Sequence, residues 1–268
     1  MPTQDTDKDW EYFGNTDPYW AVLTDEKFRK ENLTDDRVQS FFASGEAHIA
    51  FIFQTIREHL DESFAPKSAL DFGCGVGRLV IPLARVCGSV VGVDISEGML
   101  HEAQARCDSL GLSNVRFEKS DDQLSRVSGS FDLINSYIVL QHIPPQRGEV
   151  LSKHLVERLS DGGVGVLHFV YHVERRSRRP KLRSIVESWG LYPAFSAVRR
   201  IGSRLARLVP RRVSGTPEMQ MNAYDLNSLF LGLQKAGVRR VHVEMTNHRG
   251  CYGVLLFFKR SSGDRYRA

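Results

Sequence analysis

The chain has 268 residues, 41% of them hydrophobic and 25% charged, with a net charge of +4. That balance excludes a disordered or fibrous chain, and no uninterrupted apolar run of about 18 residues is present to span a membrane. The polar, acidic start from Met1 to Asp9 lacks a secretory leader pattern, so a cytoplasmic location is expected.

The first 65 residues read as a helical arm. Ile49, Phe53, Ile56 and Leu60 recur at helical spacing, and Trp10, Tyr12, Phe13, Tyr19 and Trp20 cluster ahead of them. Clustered aromatics behind a polar start predict a segment that packs over something, with Tyr19 and Trp20 as candidate acceptor contacts. From residue 66 the pattern changes. Ser68 to Phe72 is a short apolar run ending in glycines, as a buried strand would. A helix is expected over Val76 to Val86, a strand over Ser89 to Val93, and a helix from about Ser96 with Glu97 in its first turn. Val115 to Phe117 and Phe131 to Asn135 give two more strands, and Gln146 to Leu159 a helix stopped by Asp161-Gly162-Gly163. Val164 to Val170 gives the fifth strand. Such alternation implies a mostly parallel sheet covered on both faces.

The segment 173–223 reads as an insert. Between His172 and Glu218 lie twelve Lys/Arg against three Asp/Glu, so the rest of the chain is net acidic. Arg175 through Arg183 and Arg199 through Arg212 flank apolar residues such as Trp189, Tyr192 and Phe195. This mixture predicts an amphipathic helical lid, with contact between residues 175–212 and an anionic membrane surface as a second reading. Nucleic acid is disfavoured as a partner. The part 224–260 completes the core with a helix over Leu226 to Ala236, capped by Gly237, and strands over Val238 to Met245 and Tyr252 to Phe258. The gap between those strands is too short for a crossover helix, so they should pair antiparallel. Residues 261–268 form a tail.

The chemistry is concentrated in the first turn. Gly73, Gly75 and Gly77 let the backbone turn sharply and a ligand come close. The sixth position counted from Gly73 is Arg78, so the dinucleotide pattern fails. Asp71 would repel a pyrophosphate and attract a cation. Cys74, Cys87, Cys107 and Cys251 match neither a zinc site nor a disulfide framework, so no metal is expected and the thiols should be reduced.

These residues open a series of motifs. Leu70-Asp71-Phe72-Gly73-Cys74-Gly75-Val76-Gly77-Arg78 is followed by Val91-Gly92-Val93-Asp94-Ile95-Ser96 with Met99, then Phe117-Glu118-Lys119-Ser120-Asp121, then Ser130-Phe131-Asp132-Leu133-Ile134 leading to Val139-Leu140-Gln141-His142-Ile143. In that order they resemble the class I S-adenosylmethionine-dependent methyltransferases of the small-molecule type, over about residues 67–171. The resemblance implies an α/β Rossmann-like fold: a seven-stranded, mostly parallel sheet with one antiparallel strand and helices on both faces, plus the helical arm and the lid insert. It also implies S-adenosyl-L-methionine as cofactor. Asp94 would accept from both ribose hydroxyls, since a carboxylate bridges a vicinal diol. Ile95 and Met99 would pack on the adenine, with Asp121 or Asp122 facing its amino group. Ser136 and Tyr137 would line the methionine part. Arg78 would pair with the cofactor carboxylate or with Asp71.

Acceptor chemistry is less defined. An acceptor hydroxyl needs a base, and His142, His168, Tyr171 and His172 are the candidates near the strand ends. His142 is the expected base, and Tyr171 and His172 the expected acceptor contacts. The expected activity is methyl transfer to a small-molecule, glycan or lipid-linked acceptor, with oxygen the favoured atom. A methyltransferase acting on protein or RNA, and a non-catalytic cofactor-binding scaffold or membrane-surface partner, are the alternatives.

Overall fold

A computed structural model describes residues 6–174 and 217–260. The basic lid residues 175–212, with their expected membrane contact, lie outside the described residues. Two compact units divide the chain, one of residues 1–173 with 219–268 and one of residues 174–218. The first unit holds everything that follows.

Seven strands form its sheet: β1 (Ser68–Phe72), β2 (Ser89–Asp94), β3 (Val115–Lys119), β4 (Phe131–Ser136), β5 (Leu159–Val173), β6 (Val238–His248) and β7 (Cys251–Arg260). Their order is β3-β2-β1-β4-β5-β7-β6. β1 to β5 pair in parallel, whereas β7 runs antiparallel to both β5 and β6. The expected seven strands with one antiparallel member are therefore present. The β6–β7 hairpin turns on Arg249 and Gly250, both at positive φ (55° and 93°), as a two-residue turn requires. Strand order reverses between β1 and β4, which opens a crevice at their carboxyl ends.

Residues that alternate along the inner strands feed two cores, one on each face. Ala69, Val90, Leu133 and Val166 pack toward the arm, and Leu70, Val91, Ile134 and Leu167 toward the opposite helices. The arm comprises α1 (Thr6–Thr16), α2 (Pro18–Val22) and α3 (Asp35–His59). Of the expected apolar stripe, Ile49, Phe53 and Ile56 are buried on α3 together with Phe41 and Ile52, while Leu60 caps the helix and is half-buried. The remaining helices are α4 (Val80–Ala84), α5 (Glu97–Ser109), α6 (Pro145–Glu157) and α7 (Leu226–Lys235). Ser96 caps α5 by accepting from Met99 N at 3.3 Å, and Asp225 caps α7 by accepting from Ser228 N at 3.0 Å. No described helix is long and apolar enough to cross a membrane.

Two expectations are corrected. The helix after the glycines spans only Val80–Ala84, not Val76 to Val86, because Gly75 and Gly77 take φ of 52° and 82°, values no right-handed helix contains. The Asp161-Gly162-Gly163 stretch lies inside β5 instead of ending a helix. α6 stops at Glu157, and Gly162 (φ 74°) sits where the β4–β5 register shifts.

Candidate functional site

The turn after β1 is shaped by its glycines. Gly73 N and Cys74 N both donate to Val93 O, at 2.7 and 3.0 Å, which draws the loop against the end of β2. Gly75 N then donates to Asp94 Oδ2 at 2.8 Å, and Ser96 N to Oδ1 at 3.0 Å. Burial raises the pKa of Asp94, and the backbone N–H groups of Ser96, Gly75 and Ile95 oppose that rise. A carboxylate offers about four lone-pair sites, so capacity remains for a ligand.

Asp71 and Arg78 form the other end. Asp71 is 2% exposed and accepts from Asn135 Nδ2 at 2.7 Å. Burial pushes its pKa up to about 7, against the opposing effects of the Asn135 hydrogen bond and the Arg78 charge. Arg78 is also buried. Its hydrogen bond among the described residues goes to Ser44 Oγ at 3.4 Å, and its Nε is buried without a partner. A guanidinium taken from water with so little compensation is costly unless an anion meets it.

Between these ends lies a narrow cavity of about 90 Å³. Gly73, Gly75, Asp94, Ile95 and Met99 wall one part of it, and Arg78, Tyr137 and His142 another. The arm closes over it with Asp7, Trp10 and Val22. α1 is seated on α5 closely enough that a Cβ on Gly14 would fall 2.0 Å from Ser96 Oγ, and Glu97 N donates to Glu11 Oε2 at 2.9 Å. Arg147 holds the free end of α1: its guanidinium meets Asp7 at 2.6 and 3.0 Å and Asp122 at 2.5 Å.

Most of the expected cofactor residues are brought together here. Asp71, Gly77 and Ser136 stand behind the lining, buried or backed against α5. Asp121 and Asp122 do not reach the cavity in this structure; Ser120 takes that place. The Asp121 carboxylate closes its own turn by accepting from Gln123 N, Ser125 N and the Ser125 hydroxyl, and Asp122 is engaged by Arg147.

The expected acceptor residues are more scattered. Tyr19 donates to Glu102 Oε1 at 2.7 Å and packs on Phe41 and Phe42, and Trp20 lies under the Arg29 guanidinium at 3.5 Å. Tyr171 packs with the second core, and His172 faces Tyr252. None of these four lines the cavity. His142 does, but both its ring nitrogens are engaged. Nδ1 donates to Gln220 O at 2.7 Å, and Nε2 receives the Gln141 amide at 3.2 Å. Burial pushes its pKa down to about 4, so the ring is neutral near pH 7.

Sequence reasoning missed three contributors: Asp7, Arg147 and the residues packed around Tyr137. His48 stacks on the Tyr137 ring with centroids 3.8 Å apart, and His248 Nε2 lies 3.3 Å from its hydroxyl. His48 continues the spacing of the buried positions Phe41, Gly45 and Ile52 along α3, a signal that was available. His248 carried none, because its position depends on the hairpin geometry.

Residues 69–163 match the family model described as a methyltransferase domain. A 23S rRNA (uracil(1939)-C(5))-methyltransferase of Marinomonas posidonica is 30% identical over 154 residues, covering 52% of this chain and 34% of that protein. A magnesium-protoporphyrin O-methyltransferase of a Synechocystis species is 38% identical over 86 residues, covering 32% of this chain and 37% of that protein. The chain thus spans about a third of the length of these curated relatives. Among solved structures, magnesium protoporphyrin IX methyltransferase from Synechocystis with bound S-adenosylmethionine superposes with a TM-score of 0.60 at 20% identity, covering 97% of this chain and 100% of that one.

Proposed function

We propose that this chain, whose core is a class I S-adenosylmethionine-dependent methyltransferase domain, transfers a methyl group to a small-molecule or glycan acceptor, at oxygen. One observation carries the cofactor assignment. A buried arginine with an unpartnered Nε and a half-buried aspartate with acceptor capacity to spare sit on the same glycine-walled cavity. That pair suits a ligand with a carboxylate at one end and a vicinal diol at the other.

When bound, the cofactor supplies a methyl group already activated by a positive sulfur. The protein contributes position and exclusion of water. Asp94 would receive the ribose hydroxyls, and Ile95 and Met99 would pack on the adenine. Arg78 would pair with the carboxylate, and Asp71 would place negative charge near the cationic end. His142 holds its loop in one neutral tautomer.

The arm supports a small acceptor over a macromolecular one. Trp10 and Asp7 narrow the entrance to the cavity, which a protein loop or a folded RNA would have to displace. Among the relatives, the protoporphyrin enzyme is named for an O-methyltransferase and the rRNA enzyme for a carbon acceptor. The location proposed is cytoplasmic, with residues 175–212 as a peripheral attachment to anionic lipid.

Calorimetry with S-adenosylmethionine tests the core of the proposal. Binding is expected, with Asp94→Ala weakening it strongly; equal affinity in the variant sinks the assignment. Label transfer from methyl-labelled cofactor is then compared across small-molecule, lipid and glycan, protein and RNA fractions of a cell extract. Label in the RNA or protein fraction alone replaces the small-acceptor reading. Flotation with anionic vesicles, with and without charge-neutralised Arg199, Arg200, Arg204 and Arg207, tests the attachment.

A further inference from the structure

Behind the cavity wall lies a cluster that the cofactor does not require. Tyr137 borders the cavity, and its hydroxyl reaches His248 Nε2 at 3.3 Å. His48 from α3 stacks on one side of the Tyr137 ring at 3.8 Å, and the ring of His168 from β5 stands edge-on at 5.3 Å. His168 Nε2 is tied to Thr246 Oγ1 at 2.8 Å, while His168 Nδ1 and His48 Nε2 are buried without partners. α3, β5 and β6 thus converge on one ring that borders the cavity.

We propose that Tyr137 and His248 form the proton-accepting pair of this methyltransferase, serving an acceptor that presents a neutral phenolic or alcoholic hydroxyl. The proposal rests on the methyl-transfer reading above. The acceptor O–H bond breaks and its proton passes to the Tyr137 oxygen, as the phenol's own proton moves to His248 Nε2. The freed oxygen pair forms the new O–CH3 bond, and the carbon–sulfur bonding pair stays on sulfur. His248 is half-buried, so it can return the proton to water. His142 is less suited to the task, since protonation at Nε2 would displace the Gln141 amide.

The surroundings keep the pair in the required state. Arg78 from the glycine loop, His48 from α3 and His168 from β5 are titratable groups beside it. Burial and the neighbouring Arg78 hold His48 down at about pH 3, and burial with the neighbouring histidines does the same for His168. Burial also lowers His248 below its ordinary value, and burial raises Tyr137. At neutral pH the phenol keeps its proton and the imidazoles keep their lone pairs. A hydroxyl therefore fits this wall better than a carboxylate.

Two readouts test the pair. The first is nitrogen NMR on the cofactor-free chain. His248 should carry its neutral proton on Nδ1, and Tyr137→Phe should shift the Nε2 resonance, because the phenol's hydrogen bond to that nitrogen is lost. A proton on Nε2 at neutral pH overturns the proposal. The second is transfer to whichever extract fraction takes label. Tyr137→Phe and His248→Gln should each lower kcat about 100-fold, the scale of general-base loss. Cofactor affinity should stay within about twofold, and His248→Gln should erase the acidic limb of the kcat/KM profile. His242→Gln, away from the cavity, serves as the unaffected control. Wild-type kcat in Tyr137→Phe overturns the pair. An absence of transfer by the wild type defeats the methyl-transfer reading instead, and the NMR result still reports on the hydrogen bond.

Discussion

Asp71 is the residue whose surroundings make the most definite demand on pH. Its folded pKa of about 7 stands above the ordinary value of 3.8, with burial as the largest cause. The folded chain therefore holds a proton there that the unfolded chain releases. This contribution is fully present below about pH 4 and is lost as pH rises through 7. A cation bound beside Asp71 favours the carboxylate, so S-adenosylmethionine should bind more tightly at pH 8 than at pH 6. Calorimetry at both values checks this, and Asp71→Asn should flatten the difference. The histidines act in the opposite direction. His48, His142 and His168 have folded pKa values of about 3, 4 and 3, below the ordinary 6.5, because burial disfavours their charged forms. The stability they carry is present above pH 6.5 and is lost as pH falls toward those values, at up to about 1.4 kcal/mol per pH unit for each. Urea unfolding at pH 7 and pH 5 should show the drop, and His168→Asn should reduce it. At this scale the sequence was legible where spacing sets chemistry. Asp94, Ile95, Met99 and the glycines reach one cavity because they sit at strand ends and in the first helical turn. Asp121 was not legible: a short acidic loop can turn its carboxylate inward on its own N–H groups, and the residue string does not say which way.

At the scale of elements, the strands were readable because apolar runs bounded by glycines leave few alternatives. The short α4 was not, since helical periodicity continues through Gly77 while the backbone cannot. The arm was readable as helices that pack over something, but the surface that α1 meets as a roof was not, because that depends on the tertiary arrangement. The salt links from Arg147 to Asp7 and Asp122 hold that roof. They are partly exposed, so Arg147→Ala should cost only about 1 kcal/mol of global stability. It should instead speed cofactor dissociation several-fold in stopped-flow, with little change if the roof is held by packing alone. A second element contact is tighter. Tyr224 lies across α6, its hydroxyl donating to Leu140 O and Ile143 O at 2.8 and 2.9 Å, and a Cβ on Gly148 would stand 1.9 Å from that oxygen. Gly148→Ala should therefore destabilise by about 1–3 kcal/mol in urea unfolding, the range of overpacked sites.

For the whole molecule, the sheet order explains how distant parts of the chain share one site. β1, β2 and β4 present the residues proposed to hold the cofactor, while the β6–β7 hairpin carries His248 back across β5 from the far edge. The stretch that re-enters the core after residue 218 passes beside His142. Gln220 O accepts from its ring, Asn222 N donates to Gln141 O at 2.7 Å, and Tyr224 N donates to Val170 O at 2.8 Å. The insert was visible in sequence through its charge, yet its return path was not, because these bonds are made by backbone groups that every residue possesses.

The roof over the cavity sets a timetable for turnover. α1 lies near the amino end of the chain and covers a cavity that otherwise opens at the strand ends. On the proposed function, a spent cofactor would leave after that helix lifts, and a fresh one would be covered on its return. The slow event in each cycle would then be exchange and not bond-making, so steady-state rates would follow solvent viscosity while a single enclosed turnover would not.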